Sequence, residues 1–146
     1  MHQASGGRWE GGWYVVPWHA IFRDIDTFGH VNNAVFLTYF EWARTSMWLD
    51  LIGGSDSRDV GFIVVRTECD FHHQIAMEPI EIRVRIGDMR TTSFDTHYEI
   101  HTVRRRQIAA TGKVVVVLFD WKTQSKKAIP DELREKVRLF QKGSEV

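Results

Sequence analysis

Two acidic residues, a glycine and two asparagines occur in an order that suits chemistry on a carbonyl group. Asp24 and Asp26 precede Gly29, whose missing Cβ permits a sharp turn of the backbone. Asn32 or Asn33 can cap the helix that follows. The first-turn N–H groups of that helix then point back toward the segment that carries Asp26, and the helix dipole adds partial positive charge there. A carboxylate would face an anion site, which is an arrangement suited to acyl chemistry.

The helix that must position these groups has almost no polar face. From Ala34 to Leu51 the chain contains neither Pro nor Gly, and apolar side chains fall on every side of the predicted helix. A helix of this kind is buried on all sides or spans a membrane. Glu41, Arg44 and Asp50 argue against a span of about 20 apolar residues. We therefore expect other elements to wrap around this helix.

Five predicted strands supply the wrapper. Tyr14–Phe22 is predicted to be an irregular strand at a sheet edge, where Pro17 is tolerated. Four more strands are predicted, over residues 62–71, 80–86, 93–102 and 108–121. The first of these four contains consecutive apolar residues, which predict that it is covered on both faces. The last is long, so we expect a bend or bulge near Gly112.

The order of elements predicts an α+β domain in which a five-stranded antiparallel sheet is wrapped around a central helix. A last amphipathic helix is predicted for Asp131–Gln141, directly after Pro130. The domain is predicted to span residues 14–141. Residues 1–13 are expected to be a flexible lead-in, and residues 142–146 a C-terminal tail.

Composition argues against several classes of protein. The 146 residues fit one domain, and 19 Lys and Arg residues balance 19 Asp and Glu residues. This balance gives no electrostatic argument for binding nucleic acid or a membrane surface. The single Cys69 rules out a disulfide within the chain, and Met1–Gly12 lacks the apolar core of a signal peptide. We therefore expect a cytoplasmic protein with no nucleic-acid or membrane partner.

The string Arg-Asp-Ile-Asp-Thr-Phe-Gly-His-Val-Asn-Asn at 23–33, with Tyr-Phe-Glu-Trp-Ala-Arg at 39–44, resembles hotdog-fold acyl-CoA thioesterases of the 4-hydroxybenzoyl-CoA thioesterase type. The order of elements from Tyr14 to Gln141 is similar too, so the resemblance covers most of the chain. It implies a hotdog fold and hydrolysis of an acyl-CoA to free acid and coenzyme A, without metal or bound cofactor. It also implies a homodimer or homotetramer whose active site lies between subunits.

The resemblance assigns roles to individual residues. Asp26 stands where the family has its catalytic carboxylate, and Asn33 where a backbone amide meets the thioester oxygen. Asp26 could attack the carbonyl to form a mixed anhydride, or activate a water as general base. His30 could orient the substrate or Asp26, or be a hydrogen-bonded structural histidine. The other residues expected to contact the substrate are Gly29, Val31, Asn32, Thr92 and Ser93.

Several of these residues have alternative interpretations. Asp26 could merely cap the turn or pair with Arg23, and Asp24 is expected to cap or pair rather than to catalyse. Glu41 is the main rival to Asp26, because other hotdog thioesterases carry their catalytic acid on this helix. We favour a buried ion pair between Glu41 and Arg44 instead.

Basic residues could bind the phosphates of coenzyme A through charge-assisted hydrogen bonds. The candidates are Arg90, Arg104, Arg105, Arg106, Lys122, Lys126 and Lys127. A solvated hairpin is the alternative for the run of three arginines. His72 and His73 lie near Cys69, but no second ligand pair stands at a recognised zinc spacing, so we predict no metal site.

Two functions besides acyl-CoA hydrolysis remain open. The substrate could be an acyl carrier protein thioester, or the protein could bind acyl-CoA without turning it over. A hotdog dehydratase would use a catalytic histidine in a different local string, which this sequence lacks.

Overall fold

One antiparallel sheet and one long helix account for most of the described chain, which comprises residues 6–52 and 60–143 of this computed structural model. The strands are β1 (Arg8–Glu10), β2 (Trp13–His19), β3 (Val60–Phe71), β4 (Pro79–Met89), β5 (Ser93–Thr102), β6 (Gln107–Asp120) and β7 (Ser125–Lys126). The α-helices are α1 (Asn33–Ile52) and α2 (Asp131–Gly143), and a 3-10 helix covers Phe22–Asp24.

The sheet has the order β1-β2-β4-β5-β6-β3, and β7 pairs with the end of β6. All five predicted strands are present, with ends within three residues of the predicted positions. The α+β arrangement of an antiparallel sheet packed on a central helix is therefore confirmed. The short strands β1 and β7 raise the number of strands in the described chain to seven, instead of the predicted five.

Strand β1 lies inside the stretch 1–13 that we predicted to be a flexible lead-in. Arg8 pairs with Val15 of β2 in register, and Trp9 stacks on Phe140 of α2 with ring centroids 5.4 Å apart. This contact ties the two ends of the domain together. Residues 1–5 lie outside the described residues. Helix α2 runs two residues past its predicted end, into the predicted tail, of which residues 144–146 are also outside the described residues.

Helix α1 is buried on only one side within the single chain. The side chains that face the sheet are at most 2% exposed: Phe36, Phe40, Ala43, Met47 and Leu51. Leu37, Trp42 and Leu49, on the other side, are 40%, 43% and 38% exposed. The prediction that one chain wraps the helix on all sides is therefore wrong. Among the described residues, no helix combines the length and the hydropathy needed to cross a membrane.

Strand β3 forms one edge of the sheet, with β6 as its neighbour. Val64 and Val65 are 47% and 57% exposed, and the register with β6 shifts between Val64 and Arg66. The prediction that this strand is covered on both faces is wrong for the single chain. A run of apolar residues shows that a strand needs cover, but it does not show which element supplies it.

Strand β6 is irregular three residues before the predicted position. Its pairing with β5 skips Ala109, whereas Gly112 pairs in register with Tyr98. Gly112 serves packing instead, because a Cβ there would lie 2.4 Å from the Phe40 ring. Phe40 occupies this space and stacks on Tyr98 with centroids 4.4 Å apart. The glycine therefore lets helix α1 approach the sheet closely.

We expect Gly112→Ala to lower the free energy of unfolding by on the order of 2 kcal/mol, because the added methyl group overlaps a ring that cannot move freely. Urea denaturation of the variant and the wild type measures the difference. Gly61→Ala is a matched control in β3, since a Cβ there would meet only Trp121, at 3.3 Å. Equal and small losses in the two variants would contradict this account of Gly112.

Candidate active site

Asn32 caps helix α1 and leaves the next amide unoccupied. Its side-chain oxygen accepts the N–H of Ala34 at 2.9 Å, and its carbonyl oxygen accepts the N–H of Val35 at 2.9 Å. Among the described residues, the N–H of Asn33 has no acceptor. The first turn therefore presents one donor at the positive end of the helix dipole.

Asp26 holds the preceding turn with one of its two carboxylate oxygens. Oδ1 accepts the N–H of Phe28 at 2.8 Å and, more weakly, the N–H of His30 at 3.4 Å. Gly29 supplies the left-handed backbone that this turn requires, with φ of +85°. Oδ2 receives no hydrogen bond, and Asp26 forms no ion pair with Arg23, within the part of the chain that the structure describes. The carboxylate thus caps the turn and still has an oxygen available.

A pocket of about 250 Å³ brings the three predicted catalytic residues together with one predicted substrate contact, Val31. Asp26, His30 and Asn33 line it, together with Val31 and the rings of Phe28 and Phe36. The facing wall comes from the end of β3 and the loop after it, residues 71–74. The pocket therefore brings together a carboxylate, the residue whose backbone N–H has no acceptor among the described residues, and apolar rings.

The sequence interpretation missed the residues of that facing wall. His72 and His73 were considered only as weak zinc ligands, and the structure places both in the pocket. Their backbone N–H groups donate to the carbonyl oxygen of Ala109, and His72 Nε2 lies 2.9 Å from Thr111 Oγ1. In the described ranges no group of three or more His, Cys, Asp or Glu side chains is arranged to hold a metal ion. Two adjacent histidines at the end of an apolar strand were the only signal available.

The ring of His30 carries one buried nitrogen, Nδ1. Nδ1 is buried and accepts or donates no hydrogen bond among the described residues. Buried polar atoms normally have partners, so a bound molecule or water is expected to supply one. The backbone of His30 stabilises the turn, since its carbonyl oxygen accepts the N–H of Asp26 at 2.9 Å. The ring is therefore available to form a hydrogen bond with a molecule bound in the pocket.

Asp24 has the structural role expected for it. Its Oδ2 accepts the N–H of Ile21 at 3.1 Å and the hydroxyl of Tyr39 at 2.8 Å. Burial raises the pKa of Tyr39, and the hydrogen bond to Asp24 raises it further. The Tyr39 hydroxyl stays protonated and links helix α1 to the turn that carries Asp26.

The predicted ion pair between Glu41 and Arg44 is not formed in the described structure. Arg44 is 6% exposed, donates from Nη1 to the hydroxyl of Tyr98 at 2.9 Å, and lies over the ring of Phe62. Glu41 is exposed on the other side of the helix and does not line the pocket. The prediction of a buried pair is therefore wrong for the single chain, because the two side chains point to different sides of α1.

Gly29 and Asn32 lie in the turn and the cap beside this pocket, whereas four other predicted substrate contacts lie far from it in the same chain. Ser93 pairs with Val117 of β6, whereas Phe71 at the pocket pairs with Ala110. The separation of seven residues along β6, from Ala110 to Val117, corresponds to roughly 23 Å at about 3.3 Å per residue. The predicted contacts grouped at this distant end are Arg90, Thr92, Ser93 and Lys122.

Arg90 is engaged within its own chain. It donates to Asp95 Oδ1 at 2.6 Å and to Ser93 Oγ at 2.8 Å. The hydrogen bond from Arg90 holds the pKa of the buried Asp95 carboxyl below its ordinary value.

Cys69 lies near the pocket end of β3, and burial, together with Asp70, raises the pKa of its thiol to about 11. Cys69 is therefore a neutral thiol at pH 7 and is a poor nucleophile.

The site belongs to a chain that matches known proteins over most of its length. The family model described as "Thioesterase-like superfamily" matches residues 21–137. The long-chain acyl-CoA thioesterase FadM of Escherichia coli (strain K12) is 28% identical over 125 residues, which are 81% of this chain and 92% of FadM.

Solved structures agree with this match. The PA5185 protein of Pseudomonas aeruginosa strain PAO1 is 27% identical and has a TM-score of 0.75, covering 87% of this chain and 90% of its own. A predicted thioesterase from Bacillus stearothermophilus, 23% identical, has a TM-score of 0.80 and covers 88% of this chain and 96% of its own. The second comparison supports the fold alone.

Proposed function

The chain belongs to the thioesterase-like superfamily, and from that premise we propose that it hydrolyses an acyl-CoA thioester to a free acid and coenzyme A. Membership confirms the hotdog fold and the class of thioester hydrolase that the sequence predicted. The description of FadM as a long-chain acyl-CoA thioesterase supports coenzyme A as the carrier of the acyl group.

The observation that carries the proposal is the pairing of an available carboxylate oxygen with an available backbone donor in one pocket. Asp26 Oδ2 and the N–H of Asn33 both lack partners among the described residues, and both residues line the pocket. A thioester carbonyl between them would place its carbon near the carboxylate and its oxygen near the N–H. The helix dipole of α1 favours the negative charge that develops on that oxygen.

Two chemical routes use the same groups. In one, Asp26 attacks the carbonyl carbon, the coenzyme A thiolate leaves, and water then hydrolyses the mixed anhydride. In the other, Asp26 takes a proton from water, whose oxygen attacks the carbonyl carbon before the thiolate leaves. Both routes consume one water and release an acid and a thiol. His30, whose ring nitrogen Nδ1 has no partner in the described part of the chain, would orient the substrate or the water.

We further propose that the active site is completed by a second copy of the chain. Strand β3 has β6 on one side and exposes Val64 and Val65, so its open edge can pair with the same edge of a partner. Antiparallel pairing turns the second copy end for end. The end that carries Thr92 and Ser93 in the partner then approaches the pocket end of the first chain. The exposed side of α1 would gain cover in the same assembly.

We expect Asp26→Asn to lower kcat by at least about 100-fold, because the amide can neither attack nor accept a proton. Thiol release from short-chain, long-chain and aromatic acyl-CoAs measures the loss and identifies the preferred acyl group. Glu41→Gln is the matched control, because Glu41 is the other candidate for the catalytic acid. Its kcat should stay within about twofold of the wild-type value. Thermal unfolding of each variant checks that folding is unaffected.

Full activity in Asp26→Asn would remove Asp26 from the mechanism. Loss of activity in Glu41→Gln alone would assign the reaction to the helix carboxylate. If the wild type releases no thiol, yet acyl-CoA raises its melting temperature, a binding function replaces hydrolysis.

Mixing two inactive variants tests whether the site spans two subunits. Asp26→Asn and Thr92→Val should each be impaired, the second because a hydroxyl beside the thioester is lost. After subunit exchange, half of the dimers are mixed and carry one intact site, so about a quarter of wild-type activity should return. Activity equal to the mean of the two parents, or a fully active Thr92→Val, would contradict the shared site.

A further inference from the structure

Arg105, in the turn between β5 and β6, forms an ion pair with a buried carboxylate. Its Nη2 lies 2.7 Å from Glu78 Oε2, and its Nε lies 3.4 Å from Oε1. The Glu78 side chain is 8% exposed, whereas that of Arg105 is 46% exposed. A buried carboxylate needs such a partner, because an unpaired charge in the interior is costly. The arginine run was considered for phosphate binding, but this member of it is engaged elsewhere.

The same pair holds the backbone of the loop between β3 and β4 at two places. Arg105 Nη2 also donates to the carbonyl oxygen of Gln74 at 2.9 Å. Glu78 Oε2 also accepts the N–H of Ala76 at 2.8 Å. The planar guanidinium can serve the carboxylate and the carbonyl together because its donors have a fixed geometry. One arginine and one glutamate therefore hold the loop backbone at Gln74 and at Ala76.

This loop is joined directly to the start of helix α1. Ile75 is fully buried, and its carbonyl oxygen accepts the N–H of Val31 at 2.7 Å. Val31 follows His30 in the turn and precedes Asn33 by two residues. Gln74, on the other side of Ile75, lines the facing wall of the pocket. The bond from Val31 to Ile75 thus connects the two walls, and Arg105 and Glu78 hold the loop that makes it.

We propose that Arg105 and Glu78 are positioning residues for thioester hydrolysis, which fix the loop wall of the pocket against Asp26 and Asn33. The inference rests on the proposed function, because it assigns the pair to that reaction. Neither side chain lines the pocket, so both act through the loop. Reactions that depend on oriented groups lose about 100-fold when those groups are misplaced by about 1 Å, and a loosened loop would permit such a shift.

Arg105→Gln and Glu78→Gln should each lower kcat at least about tenfold, with a smaller change in KM. Arg105→Lys should recover part of the loss, since an ammonium can donate to Glu78 and to Gln74 as Nη2 does but cannot replace the second contact from Nε to Glu78. Arg8→Gln is the matched control: Arg8 pairs with Glu81 at 2.9 Å, and its side chain is 47% exposed. Its kcat should equal that of wild type.

An acyl-pantetheine substrate separates positioning from phosphate binding, because it lacks the nucleotide phosphates of coenzyme A. The Arg105→Gln defect in kcat should be the same on acyl-pantetheine and on acyl-CoA. A defect that appears only as a higher KM, and only for acyl-CoA, would overturn the proposal and assign Arg105 to phosphate.

Amide hydrogen exchange supplies a readout that does not depend on turnover. The Val31 and Ala76 amides should exchange faster in Arg105→Gln than in wild type, and at the wild-type rate in Arg8→Gln. Unchanged exchange in Arg105→Gln would overturn the proposed coupling even if the enzyme is active. If the wild type fails to release thiol, the proposed function fails, whereas faster exchange would still show that the pair holds the loop.

Discussion

The hydrogen bond from the Val31 N–H to the Ile75 carbonyl oxygen, 2.7 Å long, is the contact on which the pocket depends. Both residues are buried, so water does not compete for the bond. On one side it holds the turn that carries Asp26 and the cap of helix α1. On the other it holds the loop that continues from β3. Two segments 44 residues apart in the sequence thereby become opposite walls of one site.

The proposed chemistry depends on two polar atoms near the start of helix α1 that form no hydrogen bond within the described chain. One oxygen of Asp26 closes the turn, and the other remains available. Asn32 caps the helix and leaves the next N–H without an acceptor among the described residues. Local folding therefore leaves one carboxylate oxygen and one backbone donor available, and the helix dipole adds partial positive charge at the donor. The apolar helix α1 anchors this arrangement in the core, while one side of it and the edge of β3 stay uncovered in the single chain.

The local half of the site was predictable from the sequence, because a turn, a cap and a helix start depend on contacts between neighbouring residues. Asp26 and the helix start at Asn32 and Asn33 were predicted in this way, whereas His30 was assigned from the family resemblance. The strands were predicted nearly to their ends. The facing wall, residues 72–74, was not predicted, since its position depends on which strand β3 pairs with. The ion pair between Arg105 and Glu78 was not predicted, because the two residues are 27 positions apart and Arg105 belongs to a charged run that is typical of solvated turns. The exposure of β3 and of half of α1 depends on packing that a hydrophobic pattern does not specify.

The most direct test of the account is the amide resonance of Asn33 in a 1H–15N spectrum, recorded with a ketone analogue of acyl-CoA in which CH2 replaces the thioester sulfur. If the helix start receives the carbonyl oxygen, the Asn33 amide proton moves downfield on saturation. The Ala34 amide, already bonded to Asn32, shifts far less. An Asn33 resonance that stays in place while the analogue is bound would contradict the oxyanion site and, with it, the assignment of the pocket.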